Sequence, residues 1–214
     1  MPPAVDQLPL GPMGTNCYVV RADASKSEAA VVDPGADAAR ILEHLGTCRA
    51  TCVAILLTHS HYDHIGALAE LAEATGAHVW LPEGEKEVFE RPNDLYGALG
   101  LKLRGYTGES TLLSGGERVE AAGMSFEVTA VPGHSPGHVA YHSGGCLFSG
   151  DVLFAGSVGR TDLPFGDWDV LVTSIRRLAD TYPPETVVLP GHGATTTLGQ
   201  ELARNPFLAE LRAP

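Results

Sequence analysis

Hydrophobic residues gather in short runs separated by Gly, Pro and polar turns, and their spacing changes character along the chain. Thr15–Val20 and Ala29–Val32 are β-rich, and the Asp33-Pro34-Gly35 that follows is turn chemistry, so a hairpin is expected near the N-terminus. From Ala36 to Leu45 the residues Ile41, Leu42 and Leu45 take helical spacing and Gly46 marks a stop, after which Val53–Leu57 reads as a hydrocarbon strand. Ile65–Thr75 repeats the helical stripe through Ile65, Leu68, Leu71 and Ala72, stops at Gly76, and leads to a strand at Ala77–Leu81. Pro82 to Ser110 holds no sustained period, although Leu95, Leu99 and Leu103 suit a short helix. β texture then returns in Glu117–Ala121, Ser125–Val131, His138–His142 and Cys146–Ser149, with turns at Gly123 and Gly144-Gly145. A last helix is expected over Asp169–Tyr182, with Leu171, Ile175 and Leu178 on one face, before a final β run at Thr186–Leu189. Strands and helices are thus built twice over, with no long-period repeat and no low-complexity linker. That predicts one α/β domain over residues 1–214, two packed sheets with helices on their outer faces.

Composition removes several functions. Asp and Glu number 26 against 14 Lys and Arg, a formal charge of −12, so a broad surface for nucleic acid or an anionic membrane has no electrostatic support. No apolar run reaches the roughly 20 residues that span a bilayer, and Met1-Pro2-Pro3-Ala4 has neither a basic n-region nor an apolar h-region, so a cytoplasmic protein is expected. Cys17, Cys48, Cys52 and Cys146 are too scattered for a disulfide scaffold; all are expected reduced, with Cys48 and Cys52 buried as packing.

The histidines change the picture most. His59, His61 and His64 crowd into Thr58-His59-Ser60-His61-Tyr62-Asp63-His64, directly after the hydrocarbon strand. Three imidazoles and a carboxylate at the mouth of a core cost several kcal/mol unless paired, and a divalent cation suits all four. In extended backbone His59, His61 and Asp63 fall on one side, and a helix beginning near Asp63 turns His64 back toward the same cavity. His134 in Val131-Pro132-Gly133-His134, Asp151 in Ser149-Gly150-Asp151 and His192 in Leu189-Pro190-Gly191-His192 each follow a β run and a Gly, as ligands brought to one sheet edge would. Five histidines and two aspartates exceed the roughly four ligands of one tetrahedral ion, so two ions sharing a carboxylate are implied.

This spaced set, HxHxDH with a following His, Asp and His, resembles the metallo-β-lactamase superfamily. The resemblance implies a four-layer αβ/βα sandwich with two divalent ions, zinc first and iron or manganese as alternatives, at the edge of the two sheets. It further implies that His59, His61 and His134 hold one ion, that Asp63, His64 and His192 hold the other, and that Asp151 bridges them. Within the superfamily the runs Pro132-Gly133-His134-Ser135-Pro136-Gly137-His138, Ser149-Gly150-Asp151-Val152-Leu153-Phe154, Gly159-Arg160-Thr161-Asp162 and Asn205-Pro206-Phe207 are similar to short bacterial members of the hydroxyacylglutathione hydrolase (glyoxalase II) group. The chain stops soon after Phe207, so the resemblance implies a form without the C-terminal helical domain that longer members use to grip glutathione. Arg160 falls where those members place a basic residue for the carrier's carboxylate, which makes it the substrate-binding candidate, whereas Asp162 replaces an aromatic residue.

The chemistry expected is attack on a thioester such as S-lactoylglutathione by a hydroxide held between two cations, with Asp63 orienting it and the ions stabilising the oxyanion. A thiol with a pKa near 8.5 leaves without a strong general acid, and no Ser or Cys stands in a suitable nucleophile motif. The loaded centre carries net positive charge, so a small anionic thioester is the expected partner. The alternatives are an iron-dependent persulfide dioxygenase, which shares the GRTD run, a lactone or phosphodiester hydrolase on the same metals, and a silent metal-binding module, which the complete ligand set disfavours. His138 reads as a hydrogen-bonding neighbour of the ligands, and Asp33 as a turn residue with a bond to a ligand imidazole as its alternative. His44, His78 and His142 read as ordinary surface or core residues, and Trp80 and Trp168 as packing.

Overall fold

The computed structural model describes residues 2–212. The first half runs β1 (Ala4–Leu10), β2 (Thr15–Arg21), β3 (Glu28–Val32), α1 (Ala38–Thr47), β4 (Thr51–Leu56), α2 (Tyr62–Ile65), α3 (Leu68–Thr75), β5 (His78–Pro82), α4 (Lys86–Glu90), α5 (Pro92–Tyr96) and β6 (Ser110–Leu113). The second runs β7 (Arg118–Ala121), β8 (Met124–Ala130), β9 (Val139–Ser143), β10 (Cys146–Gly150), a small hairpin of β11 (Leu153–Phe154) and β12 (Ser157–Val158), α6 (Trp168–Thr181), β13 (Val187–Pro190), β14 (Thr196–Thr197) and α7 (Leu198–Arg204). Six strands in the order β1-β2-β3-β4-β5-β6 make one mixed sheet, and β14-β13-β10-β9-β8-β7 make the other. The expected hairpin is the antiparallel pair β2 and β3, and β3 to β6 continue in parallel through helical crossovers.

Period-two alternation builds the layers. Along β3, Ala29 and Val31 face α1 and α3 with Ile41, Leu45, Leu68 and Leu71, whereas Ala30 and Val32 face the other sheet. Along β9 and β10, Tyr141 and Phe148 enter the space between the sheets, and Ala140 and Leu147 join Leu171, Ile175 and Leu178 of α6. Helix, sheet, sheet and helix therefore stack as the four layers expected. Phe126 is fully buried in the inter-sheet cluster, and Phe126→Ala is expected to cost about 3–5 kcal/mol, measured by urea unfolding.

Some elements differ from the sequence reading. Strand β1 carries no clear strand signal in the sequence, because Asp6, Gln7 and Pro9 interrupt its apolar pattern; an edge position tolerates that proline. The helix expected over Ile65–Thr75 is two helices. Ala67 N–H donates to Pro34 O at 3.0 Å instead of continuing the ladder, and Gly66 packs so tightly on Gly35 O that a Cβ would lie 2.3 Å from it. Of Leu95, Leu99 and Leu103, the first lies in α5, the second in a single 3-10 turn and the third in irregular chain. Asp169–Tyr182 is not the last helix, since α7 follows, capped by Thr197 on Gln200 N–H. Cys17, Cys52 and Cys146 are free and buried, but Cys48 is only half-buried, with Sγ 3.4 Å from His44 Nε2 and 3.7 Å from Asp6 Oδ2. Trp168 is exposed at the start of α6, not packed. No helix among the described residues is long and apolar enough to cross a membrane.

Candidate metal centre

The loops that leave β3, β4, β8, β10 and β13 open on one edge of the two sheets and bring the candidate residues together. His59, fully buried after β4, lies with Nε2 3.1 Å from His61 Nδ1, and His134, delivered by the loop after β8, lies with Nε2 2.8 Å from the same atom. Asp63 and His64 sit in the first helical turn after His61, so the strand alternation ends one residue before Asp63 and the helix aims both side chains inward. His192 Nε2 is 3.2 Å from Asp63 Oδ2. Asp151 lies between the two groups, Oδ1 at 3.3 Å from His64 Nε2 and Oδ2 at 3.5 Å from both His134 and His192 Nε2. Two ligand sets result, His59/His61/His134 and Asp63/His64/His192, the pattern of a dinuclear metal site.

Glycines permit this convergence at two places. At Gly191 a Cβ would lie 2.1 Å from Asp151 Oδ1 and 2.6 Å from the His64 ring. Gly133 has φ 128° and rests on the backbone of Leu171 in α6, where a Cβ would lie 2.3 Å from its nitrogen.

The outer nitrogens show which way each ring is protonated. Thr58 Oγ1 donates to Asp33 Oδ2 at 2.6 Å and so accepts from His59 Nδ1 at 3.0 Å; His64 Nδ1 donates to Asp33 Oδ2 at 3.0 Å; His134 Nδ1 donates to Arg160 O at 2.8 Å. Each of these rings turns its Nε2 inward, where those of His59 and His134 meet His61 and that of His64 faces Asp63 and Asp151. Burial, reinforced by His64 and His138, pushes His59 well below the usual imidazole range, and burial with His134 lowers His61 to about 4. Burial alone would raise Asp63, yet His192, His64 and Thr15 hold it at about 2; burial would also raise Asp151, yet His64 and His192 hold it well below the carboxylate range. Against burial, Asp151 and Asp33 hold His64 well above the usual imidazole range, and hydrogen bonds to Asp151 and Asp63 raise His192 to about 9, so these two rings carry protons that divalent cations would displace. With the ionised carboxylates, and with the buried His64 Nε2 and Asp151 Oδ1 lacking a hydrogen-bond partner, the donor set fits such cations.

Asp33 takes the role set as its alternative, because besides bonding His64 it accepts from Thr58 N–H at 2.8 Å. Asp33→Asn turns an amide donor toward His64 Nδ1–H and is expected to weaken metal affinity about 10- to 100-fold, read by competition with a chelating dye. His138 is buried, stacks on His59 at 4.5 Å, and accepts Asp151 N–H on Nε2 at 3.1 Å, as a neighbour and not a member of either set. His142 stacks on Tyr182, His78 meets Trp80 edge to face, and His44 pairs with Asp6, and none of the three belongs to either ligand set. Arg160 lines the cavity, but its guanidinium grips Asp162 through Nε and Nη2, each at 2.7 Å.

Three supporting residues escaped the sequence reading. Thr15 Oγ1 donates to Asp63 Oδ2 at 2.7 Å, and Asn16 Nδ2 donates to Pro190 O at 2.9 Å, tying β2 to the His192 loop. Glu85 is 3% exposed and accepts from Ser60 N–H, Ser135 O–H and Gly137 N–H, linking the loop that holds His59 and His61 to the loop that holds His134. Glu85 stands in a polar run without periodicity, so only its burial marks it.

Comparison with known proteins agrees with this geometry. The profile of the metallo-beta-lactamase superfamily matches residues 10–192. The hydroxyacylglutathione hydrolase GloC of Haemophilus influenzae is 34% identical over 95% of this chain and 97% of its own. Among solved structures, the BLEG-1 B3 metallo-beta-lactamase superposes with a TM-score of 0.90 at 40% identity, covering 96% of this chain and 100% of that one. TTHA1623 in a di-iron-bound form does so with 0.85 at 41% identity, covering 95% and 100%. With the profile spanning both halves of the ligand set and a relative aligned almost end to end, the chain belongs to the metallo-β-lactamase superfamily of metal-binding hydrolases.

Proposed function

We propose that the protein is a thioester hydrolase of the glyoxalase II kind, acting on S-lactoylglutathione or a related small acyl-thiol. One observation carries the reading: five of the seven candidate ligands, His61, Asp63, His134, Asp151 and His192, line a cavity of about 700 Å³ whose described lining contains neither Ser nor Cys, with His59 and His64 buried behind them. The nucleophile is then water. His59, His61 and His134 would hold one divalent cation, Asp63, His64 and His192 a second, and Asp151 both. Zinc suits these donors, and the di-iron form of TTHA1623 supports iron as the other choice. Such cations, when bound, acidify water and polarise a carbonyl.

The chain's own residues do the rest. Asp63 Oδ2, fixed by Thr15 and His192, is an ionised carboxylate facing the cavity, placed to orient the attacking water and accept its proton. Water's oxygen adds to the carbonyl carbon, the C–S bond then breaks, and the departing thiolate takes up the proton that water gave to Asp63, so the products are a carboxylic acid and a thiol. Homology to GloC favours this substrate class over the β-lactam suggested by BLEG-1.

The test is to reconstitute the purified protein with zinc or iron and assay S-lactoylglutathione, a chromogenic β-lactam and, by oxygen electrode, glutathione persulfide. Thioester cleavage without oxygen uptake is expected. Brisk oxygen uptake with an inert thioester would make the protein a persulfide dioxygenase, and β-lactam opening alone would make it a lactamase.

A further inference from the structure

Seven large apolar side chains are exposed among the described residues, and four of them, Met13, Leu95, Leu99 and Phe165, line the cavity above the metal centre. Scattered apolar residues need no explanation, but a cluster around one opening does. Leu99 and Phe165 are 71% and 77% exposed at its rim. They come from separate segments: Met13 from the β1–β2 turn, Leu95 and Leu99 from α5 and the 3-10 turn after it, Phe165 from the loop before α6. Phe165 has φ 71°, a left-handed conformation that an aromatic residue avoids, and Gly166 beside it packs on Thr161 O, where a Cβ would lie 2.4 Å away. The loop is folded tightly, and it displays a phenyl ring to solvent.

Charge is scarce on the same walls. Arg160 is the one Arg or Lys among the lining residues, and Asp162 already pairs with it through two hydrogen bonds. Away from the metal centre, a carrier bearing several carboxylates finds no unpaired guanidinium or ammonium among the lining residues, whereas a hydrocarbon chain finds apolar surface.

We infer that, within the acyl-thiol class proposed above, this cavity prefers an apolar acyl chain of medium length to a short acyl group such as lactoyl, the chain lying along Met13, Leu95, Leu99 and Phe165 while the thiol portion faces solvent. The inference rests on the hydrolase reading for the position of the carbonyl, but chain binding is measurable without turnover.

Calorimetric titration with the neutral amides N-methylbutanamide and N-methyloctanamide tests it. The longer amide is expected to bind at least about tenfold more tightly, within the limit of roughly fourfold per buried methylene. Leu99→Ser and Phe165→Ser, both at exposed positions, should shrink that ratio. In the zinc-loaded protein, kcat/KM for S-acyl-N-acetylcysteamines should rise from butanoyl to octanoyl in parallel. Equal affinity for the two amides would overturn the inference, as would finding that the rim instead closes a dimer that Phe165→Ser dissociates in sedimentation. If the amides discriminate but no thioester is cleaved, the acyl pocket stands and the thioester reading falls.

Discussion

Asp151→Asn is expected to lower the metal content of the purified protein from two ions per chain to one or none, and to reduce thioester turnover by roughly 10³-fold or more. Asp151 turns a carboxylate oxygen toward members of both ligand sets, Oδ1 toward His64 and Oδ2 toward His134 and His192. An amide supplies one acceptor where two anionic oxygens are required, and its NH₂ would meet imidazole nitrogens. The scaffold should survive, because Asp151 N–H keeps its bond to His138 and Gly191 N–H its 2.8 Å bond to Gly150 O. Mass spectrometry of bound metal, with circular dichroism as the folding control, reads the result. A variant that retains two ions and full turnover would remove Asp151 from the centre.

Glu85→Ala is expected to destabilise the protein by about 3–5 kcal/mol and to lower its unfolding midpoint by roughly 10 °C. Ser60 N–H, Ser135 O–H and Gly137 N–H all donate to this buried carboxylate, and its loss leaves three donors without an acceptor. Glu85→Gln should fall between, because Ser60 binds one oxygen while Ser135 and Gly137 share the other, so the amide satisfies one side and opposes the other. Ser60 separates His59 from His61, and Ser135 adjoins His134. Metal affinity should therefore weaken along with stability. A change below about 1 kcal/mol for the alanine variant would show that water replaces the carboxylate and that the two loops hold themselves.

Much of this architecture was legible from residue order. The strands that alternate between two buried faces, Ala29–Val32 and Cys146–Ser149 above all, carry their signal in side-chain period, and the HxHxDH run stands out because polar groups follow hydrocarbon with no turn between. The ligands after β8, β10 and β13 were readable as Gly-His or Gly-Asp pairs at strand ends. What stayed hidden depends on contacts distant in sequence. Glu85 resembles any surface glutamate until Ser60, 25 positions away, donates to it, and Asp33 resembles a turn residue until His64, 31 positions away, turns toward it. The break between α2 and α3 comes from the chain at Pro34 and Gly35 crossing the helix, which no local propensity encodes. Arg160 was a reasonable anchor for an anionic carrier, and only the structure shows its charge engaged by Asp162.

Anomalous diffraction from crystals of the metal-loaded protein, recorded at the absorption edge of the bound metal, tests the paired centre most directly. Two peaks are expected, one enclosed by His59, His61 and His134 and one by Asp63, His64 and His192, with Asp151 touching both. A single peak, or peaks away from these side chains, would contradict it.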